Sequence, residues 1–199
     1  MPFWEYELRA ETLCFGQRMK GGLFRPCDMR AIRYSAVTGA LRSLFGGTDL
    51  HAAGYFDDQE PEHNRVEYLT YSPRDDTTGV SKLPLTVQFL ADVLGCVIVK
   101  AQQALPEVFE ISMGALKSQG LGRCQFRLIG PAVMEQGRGA LRTRLPVHHT
   151  ADLEIQKVVA PVYGYLFEPT SPVSGEYVLS LFEGSTVYGP LCLVEEEEL

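Results

Sequence analysis

Several absences bound this 199-residue chain before anything present is weighed. No uninterrupted apolar run approaches the roughly 18 residues that a membrane-spanning helix needs, so no membrane partner is expected. The opening stretch MPFWEYELRA carries Glu5 and Glu7 where a secretory leader would place bases ahead of an apolar segment. No signal peptide is expected, and a cytoplasmic location follows. Cys14, Cys27, Cys96, Cys124 and Cys192 form no C-x-x-C pair, and no histidine stands at zinc-finger spacing from them. That pattern argues against a disulfide framework or a structural zinc site and for buried, reduced thiols. Neither a cofactor nor a metal is expected.

Catalytic signatures are scarce too. The run GALKSQGLGR (114–123) lacks the G-K-[ST] ending of a P-loop, and GLGRCQ holds only two glycines of the dinucleotide fingerprint. No G-x-S-x-G elbow supports a serine hydrolase, and no K-G-F-G-F-V type segment marks a base-stacking RRM surface. No repeat of fixed period occurs, and the only low-complexity segment is EEEE at 195–198.

What is present describes a globular protein. With 45% hydrophobic and 22% charged residues, the chain can bury one substantial core, and no linker divides it. The net charge of -7 is unevenly distributed. Between 111 and 150, Lys117, Arg123, Arg127, Arg138, Arg142 and Arg144 face Glu135 alone, and Arg18, Lys20, Arg25, Arg30, Arg33 and Arg42 gather near the start. A basic patch acts over about 8 Å at physiological salt, so overall acidity does not preclude an anionic partner.

Pattern predicts a first strand over 3–15, a basic glycine-containing loop over 16–28 and a helix over 29–47 closed by Gly46–Gly47. At 100° per residue, Ala36, Val37, Ala40, Leu41, Leu44 and Phe45 share one side of that helix. Ser35, Thr38, Gly39 and Arg42 share another, a small polar stripe ending in a cation. HAAGYF, RVEYLTYS, LPLTVQFLA and CVIVKAQ read as strands, the last two joined near DVLG. ALPEVFEISMGALKS reads as a shorter second helix, and further β segments run to the C-terminus. This order suggests an α+β protein with a ferredoxin-like antiparallel sheet, a glycine-rich loop and additional C-terminal β structure. One elaborated domain spans 1–199, with its core over 1–132 and a β-rich extension over 133–199.

The glycine run and the helix stripe both suit a phosphate chain. Exposed backbone N–H groups, Lys117 and Arg123 can contact phosphates, and glycine admits a polymer where a Cβ would hold it away. IRYSAVTGALRSLFG resembles the P-x-S-x-x-x-G-x-L-R helix of the RAMP superfamily, the RRM-like subunits of CRISPR effector complexes. MGALKSQGLGRCQF, about eighty residues later, is similar to that superfamily's glycine-rich loop. The resemblance covers 1–130.

It implies a guide-RNA partner and neighbouring effector subunits, with target nucleic acid left open. The implied RNA-binding residues are Lys117, Ser118, Gly120, Gly122, Arg123 and Arg127 around the loop. Ser35, Thr38, Gly39 and Arg42 follow on the helix, and Lys20, Arg25, Arg30 and Arg33 in the basic loop. Three roles are known in the superfamily: a non-catalytic cap on the guide's 5′ handle, a backbone subunit cutting target RNA with a loop aspartate, and a guide-processing endonuclease using histidine. Short length and a single glycine-rich loop favour the cap. Asp28 would be the aspartate of the second role, and His51 or His148 the acid–base of the third. Adjacent His148 and His149 would point to opposite faces of a strand and make a weak metal pair.

Overall fold

The structure, a computed structural model, describes residues 1–16, 23–57, 62–75, 77–169 and 174–196. Lys20 and Arg18 lie outside the described residues, as does part of the acidic tail.

The chain is α+β, as its pattern indicates. In order, it forms β1 (Phe3–Leu13), β2 (Phe24–Arg25), β3 (Ala31–Ile32), α1 (Tyr34–Phe45), β4 (His51–Phe56), β5 (Arg65–Tyr71), β6 (Leu85–Lys100), β7 (Val108–Ser112) and β8 (Arg123–Pro131). β9 (Gln136–Leu141), β10 (Leu145–Pro146), β11 (Lys157–Ala160), β12 (Tyr163–Pro169), β13 (Gly175–Leu181), β14 (Thr186–Pro190) and β15 (Val194–Glu196) follow. Within the first sheet the order β4-β6-β1-β8 is antiparallel throughout, with β1 central, the ferredoxin-like arrangement. β3 and β7 extend its two ends.

Period-2 burial explains β1 and β8. Tyr6 and Leu8 on β1 and Cys124 and Phe126 on β8 are fully buried on one face, and Val37 and Leu41 of α1 pack into the same cluster. The opposite face of β6 and β1 contributes Ile98 and Phe3 to a second cluster with Leu141, Leu145, Leu181 and Val187 of the C-terminal strands and Leu153 of the turn before β11. One face of the sheet thus carries the helix and the other carries the C-terminal β structure.

Three sequence expectations change. First, the helix begins at Tyr34 rather than 29, because Ala31 and Ile32 pair with Tyr55 and Gly54 as a strand. It ends as expected: Gly46 adopts φ 74° and donates its N–H to Arg42 O at 2.9 Å. Second, LPLTVQFLA and CVIVKAQ form one 16-residue strand whose antiparallel partner changes from β5 to β4 around Asp92, which itself adopts φ 52°. Third, the second helix is absent. Over 108–112 the chain alternates exposed and half-buried positions, and β7 pairs with β8 from Val108↔Arg127 to Ser112↔Arg123. Phe109 stacks on Phe126 with ring centroids 4.9 Å apart, a cross-strand contact that outweighs helix propensity.

All five cysteines are free, with Cys14, Cys27 and Cys124 buried. Among the described residues no helix is long and apolar enough to cross a membrane.

Candidate functional site

α1 and the glycine run flank one cleft of about 890 Å³. From the helix come Ser35, Ala36, Gly39, Ala40 and Ser43; from the segment after β7 come Met113, Gly114, Ala115 and Lys117. Glu110 and Glu168 supply carboxylates to its wall, and Arg33 lies at the start of the helix. The ridge facing the cleft is therefore Ser35–Gly39–Ser43, an i, i+4, i+8 row. A Cβ placed on Gly39 would meet nothing within 4 Å, so that position opens directly onto the space.

The four residues of the stripe inferred from sequence do not share one environment. Thr38 is buried at 2% exposure, and its hydroxyl donates to Ala52 O and accepts from Ala52 N, both at 2.8 Å. It joins α1 to β4 and does not face solvent. Arg42 donates from Nε to Leu50 O at 2.8 Å and from Nη2 to Thr48 O at 2.6 Å, closing the loop after the helix. Neither residue lines the cleft. Ser43, which does, lies one residue beyond the stripe, at i+8 from Ser35. Ser35 lines the cleft with its hydroxyl engaged, donating to Glu168 Oε1 at 2.5 Å. Burial raises the pKa of Glu168 despite that hydrogen bond.

The glycine run is a single 3-10 turn, Lys117–Gln119, between left-handed Leu116 and Gly120. Lys117 and Ser118 are exposed on it, and Lys117 makes no ion pair among the described residues. Gly120 is exposed with open space around it. Gly122 is a structural glycine: at φ 86° its added Cβ would stand 2.1 Å from Met113 O, and its N–H donates to Thr12 O at 2.9 Å.

Arg123 and Arg127 belong elsewhere. They project from β8 on the face opposite buried Cys124 and Phe126. Arg123 contacts Glu110 Oε2 at 2.6 and 2.9 Å, and Arg127 reaches Glu7 at 3.2 Å. A hydrogen bond from Arg9, aided by the charge of Arg127, holds the Glu7 carboxyl below its ordinary pKa. The basic face of β8 is thus interleaved with acids, and it meets the cleft wall through the Arg123–Glu110 pair.

The basic loop divides similarly. Arg30 is exposed and Arg25 is half-buried in β2. Arg33 is 7% exposed and donates to Asp28, which also accepts from Arg144 Nη1 at 2.6 Å. Arg144 simultaneously holds Glu183 through two contacts of 2.5 Å. Burial opposes the charge on Arg144, but Glu183 and Asp28 outweigh it and raise its pKa. Asp28 is 8% exposed inside this network, committed to two guanidinium groups rather than presented to solvent as a cleavage residue.

His51 lies outside the cleft. Its Nδ1 is 2.6 Å from Tyr34 Oη and 3.6 Å from Asp152 Oδ2. Burial lowers its pKa, and Arg42 adds to that effect while Asp152 opposes it. His148 is exposed; the residue that meets His51 is His149. The two are successive positions of a 3-10 turn, Val147–His149, and not of a strand. Sequence spacing gave no signal for His149 or Asp152, since His51 lies about a hundred residues away.

No protein-family model matches the chain, and no curated protein matches it. Solved structures do. A chain of the Type III-B Cmr-beta complex bound to cognate target RNA and AMPPnP superimposes with a TM-score of 0.60 at 11% identity, over 92% of this chain and 86% of that one. A chain of Cmr-beta bound to cognate target RNA gives the same values. What is shared is the fold.

Proposed function

We propose that this protein is a non-catalytic, RNA-binding RAMP subunit of a CRISPR ribonucleoprotein effector complex, holding the 5′ handle of the guide RNA and contacting neighbouring subunits. The observation that carries this reading is the common cleft. The helix motif and the glycine-rich motif, some eighty residues apart in sequence, line the same space. Small residues on both walls let a phosphate chain approach the backbone, and Lys117 offers at the rim a cation with no ion pair among the described residues.

The fold likeness to chains of RNA-bound Cmr-beta complexes supports the same reading. Within the cleft, Ser35, Gly39, Ser43 and Lys117 are the contact residues, joined by Ser118 and Gly120 on the turn, with exposed Arg30 as a further base ahead of the helix. Arg123 and Arg127 act only where RNA displaces Glu110 or Glu7. Glu110 and Glu168 make the cleft less cationic than that of a free-standing RNA binder. A subunit clamped between neighbours needs less affinity of its own.

Co-purification from the native source followed by sequencing of bound nucleic acid tests the proposal. The expected result is guide RNA with a common 5′ end, protected by this subunit in footprinting. Recovery of effector subunits with the 5′ handle protected elsewhere overturns it. Incubation of the isolated chain with labelled repeat RNA in EDTA should leave that RNA intact; cleavage abolished by His51→Ala would establish the endonuclease role instead.

A further inference from the structure

The strongest unassigned feature lies where the C-terminal strands meet the helix-bearing sheet. Tyr34 opens α1, His51 opens β4, and His149 and Asp152 stand on the turn between β10 and β11. His51, His149 and Asp152 each offer one ligand atom, and these atoms all lie within 4.8 Å of one another. His149 Nδ1 is 2.6 Å from Asp152 Oδ2, and His51 Nδ1 is 3.6 Å from the same oxygen. Tetrahedral zinc with bonds of about 2.0–2.1 Å separates neighbouring ligand atoms by about 3.3 Å, a value between those two distances.

The groups are also held in place. The Tyr34 ring stacks on His149 with centroids 4.4 Å apart, and its hydroxyl lies 2.6 Å from His51 Nδ1 and 3.3 Å from His149 Nδ1. Lys100 Nζ donates to the Asp152 carbonyl at 2.9 Å and pairs with Glu154 at 2.9 Å, while Leu153 is fully buried. The carboxylate-bearing turn is therefore anchored from below by β6 and by the core.

We propose that His51, His149 and Asp152 bind one divalent transition-metal ion of the zinc class, pinning the C-terminal strands to the ferredoxin-like sheet. Two imidazoles and one carboxylate form a borderline donor set that suits zinc or cobalt and leaves a fourth position for water beside the Tyr34 hydroxyl. Two cations lie close to the trio: Arg42, whose Nη2 is 3.4 Å from His51 Nδ1, and Lys100, whose charge is offset by Glu154. The Arg42 guanidinium is drawn toward the Thr48 and Leu50 carbonyls, which offset part of its charge. The role is structural and independent of whether the cleft binds RNA.

The test uses the full chain, stripped with chelator and titrated with Co2+ and then Zn2+. One equivalent of cobalt should give the visible absorption of a four- or five-coordinate ion without a thiolate charge-transfer band, and zinc should raise the melting temperature. Asp152→Asn and His149→Gln should weaken binding by roughly 100-fold or more and abolish the zinc-dependent shift. His148→Ala, a neighbour outside the trio, should leave both unchanged. Circular dichroism of the variants establishes that they are folded; should His149→Gln not fold, Asp152→Asn decides. Absence of cobalt absorption and of a zinc-dependent shift in the parent overturns the proposal. So does a thiolate band, or binding that survives Asp152→Asn.

Discussion

Two polar rows run along the same helix, and the structure treats them in opposite ways. Thr38 and Arg42 look outward in a helical projection, yet their polar groups turn to the protein itself: Ala52 for one, Thr48, Leu50 and His51 for the other. Gly39 and Ser43 are less conspicuous in sequence and face the open cleft. The same contrast separates Arg123 and Arg127, paired across the sheet with Glu110 and Glu7, from Lys117 on the turn. A residue type suited to phosphate is a binding residue only when its hydrogen-bonding capacity is not already engaged by neighbours.

Perturbing the engaged row should damage the fold and leave recognition alone. Thr38→Val removes both contacts to Ala52 and strands a buried N–H and a buried carbonyl. About 2–4 kcal/mol of stability should be lost, read by urea denaturation. A loss under half a kcal/mol would show that this row is not structural.

The open row and the turn should behave conversely. Lys117→Ala should lower RNA affinity and flatten the log–log salt dependence by about one unit, with unchanged unfolding. Arg127→Ala should change that slope by much less, because Glu7 already neutralises the guanidinium. Equal slopes for the two variants would erase the distinction.

The smallest effect concerns Glu168. Its folded-state pKa is raised, so its charged form is disfavoured by folding. Stability from this group is fully present below the unfolded carboxyl pKa and declines as pH rises through the folded value. Glu168→Gln should therefore melt slightly higher than the parent at neutral pH, with the gap closing on acidification. It also removes an anion from the cleft and should bind RNA slightly more tightly.

Much of the architecture was legible because burial imposes period 2 on strands and leaves glycine at turns. β1, β4 and β8, the helix end at Gly46 and the ferredoxin-like order all follow from those rules. β7 departs from the expected helix because its partner, Phe126 on β8, is visible only in three dimensions. The cleft was legible as two motifs, but its inner membership was not. Helical projection cannot know that β4 covers Thr38, or that Glu168 reaches Ser35 from a strand 133 positions away. The histidine cluster was hidden for the same reason, since its members come together only when the C-terminal strands cover the sheet.

The most direct test fills the cleft from the helix side with Gly39→Leu. Nothing lies within 4 Å of the added Cβ, and leucine is a better helix former than glycine by about 0.8 kcal/mol, so the fold should be unchanged or slightly more stable. Affinity for guide RNA, measured by fluorescence anisotropy beside the melting curve, should fall at least about tenfold, or 1.4 kcal/mol. A folded Gly39→Leu protein that binds RNA as tightly as the parent would contradict the assignment of this cleft.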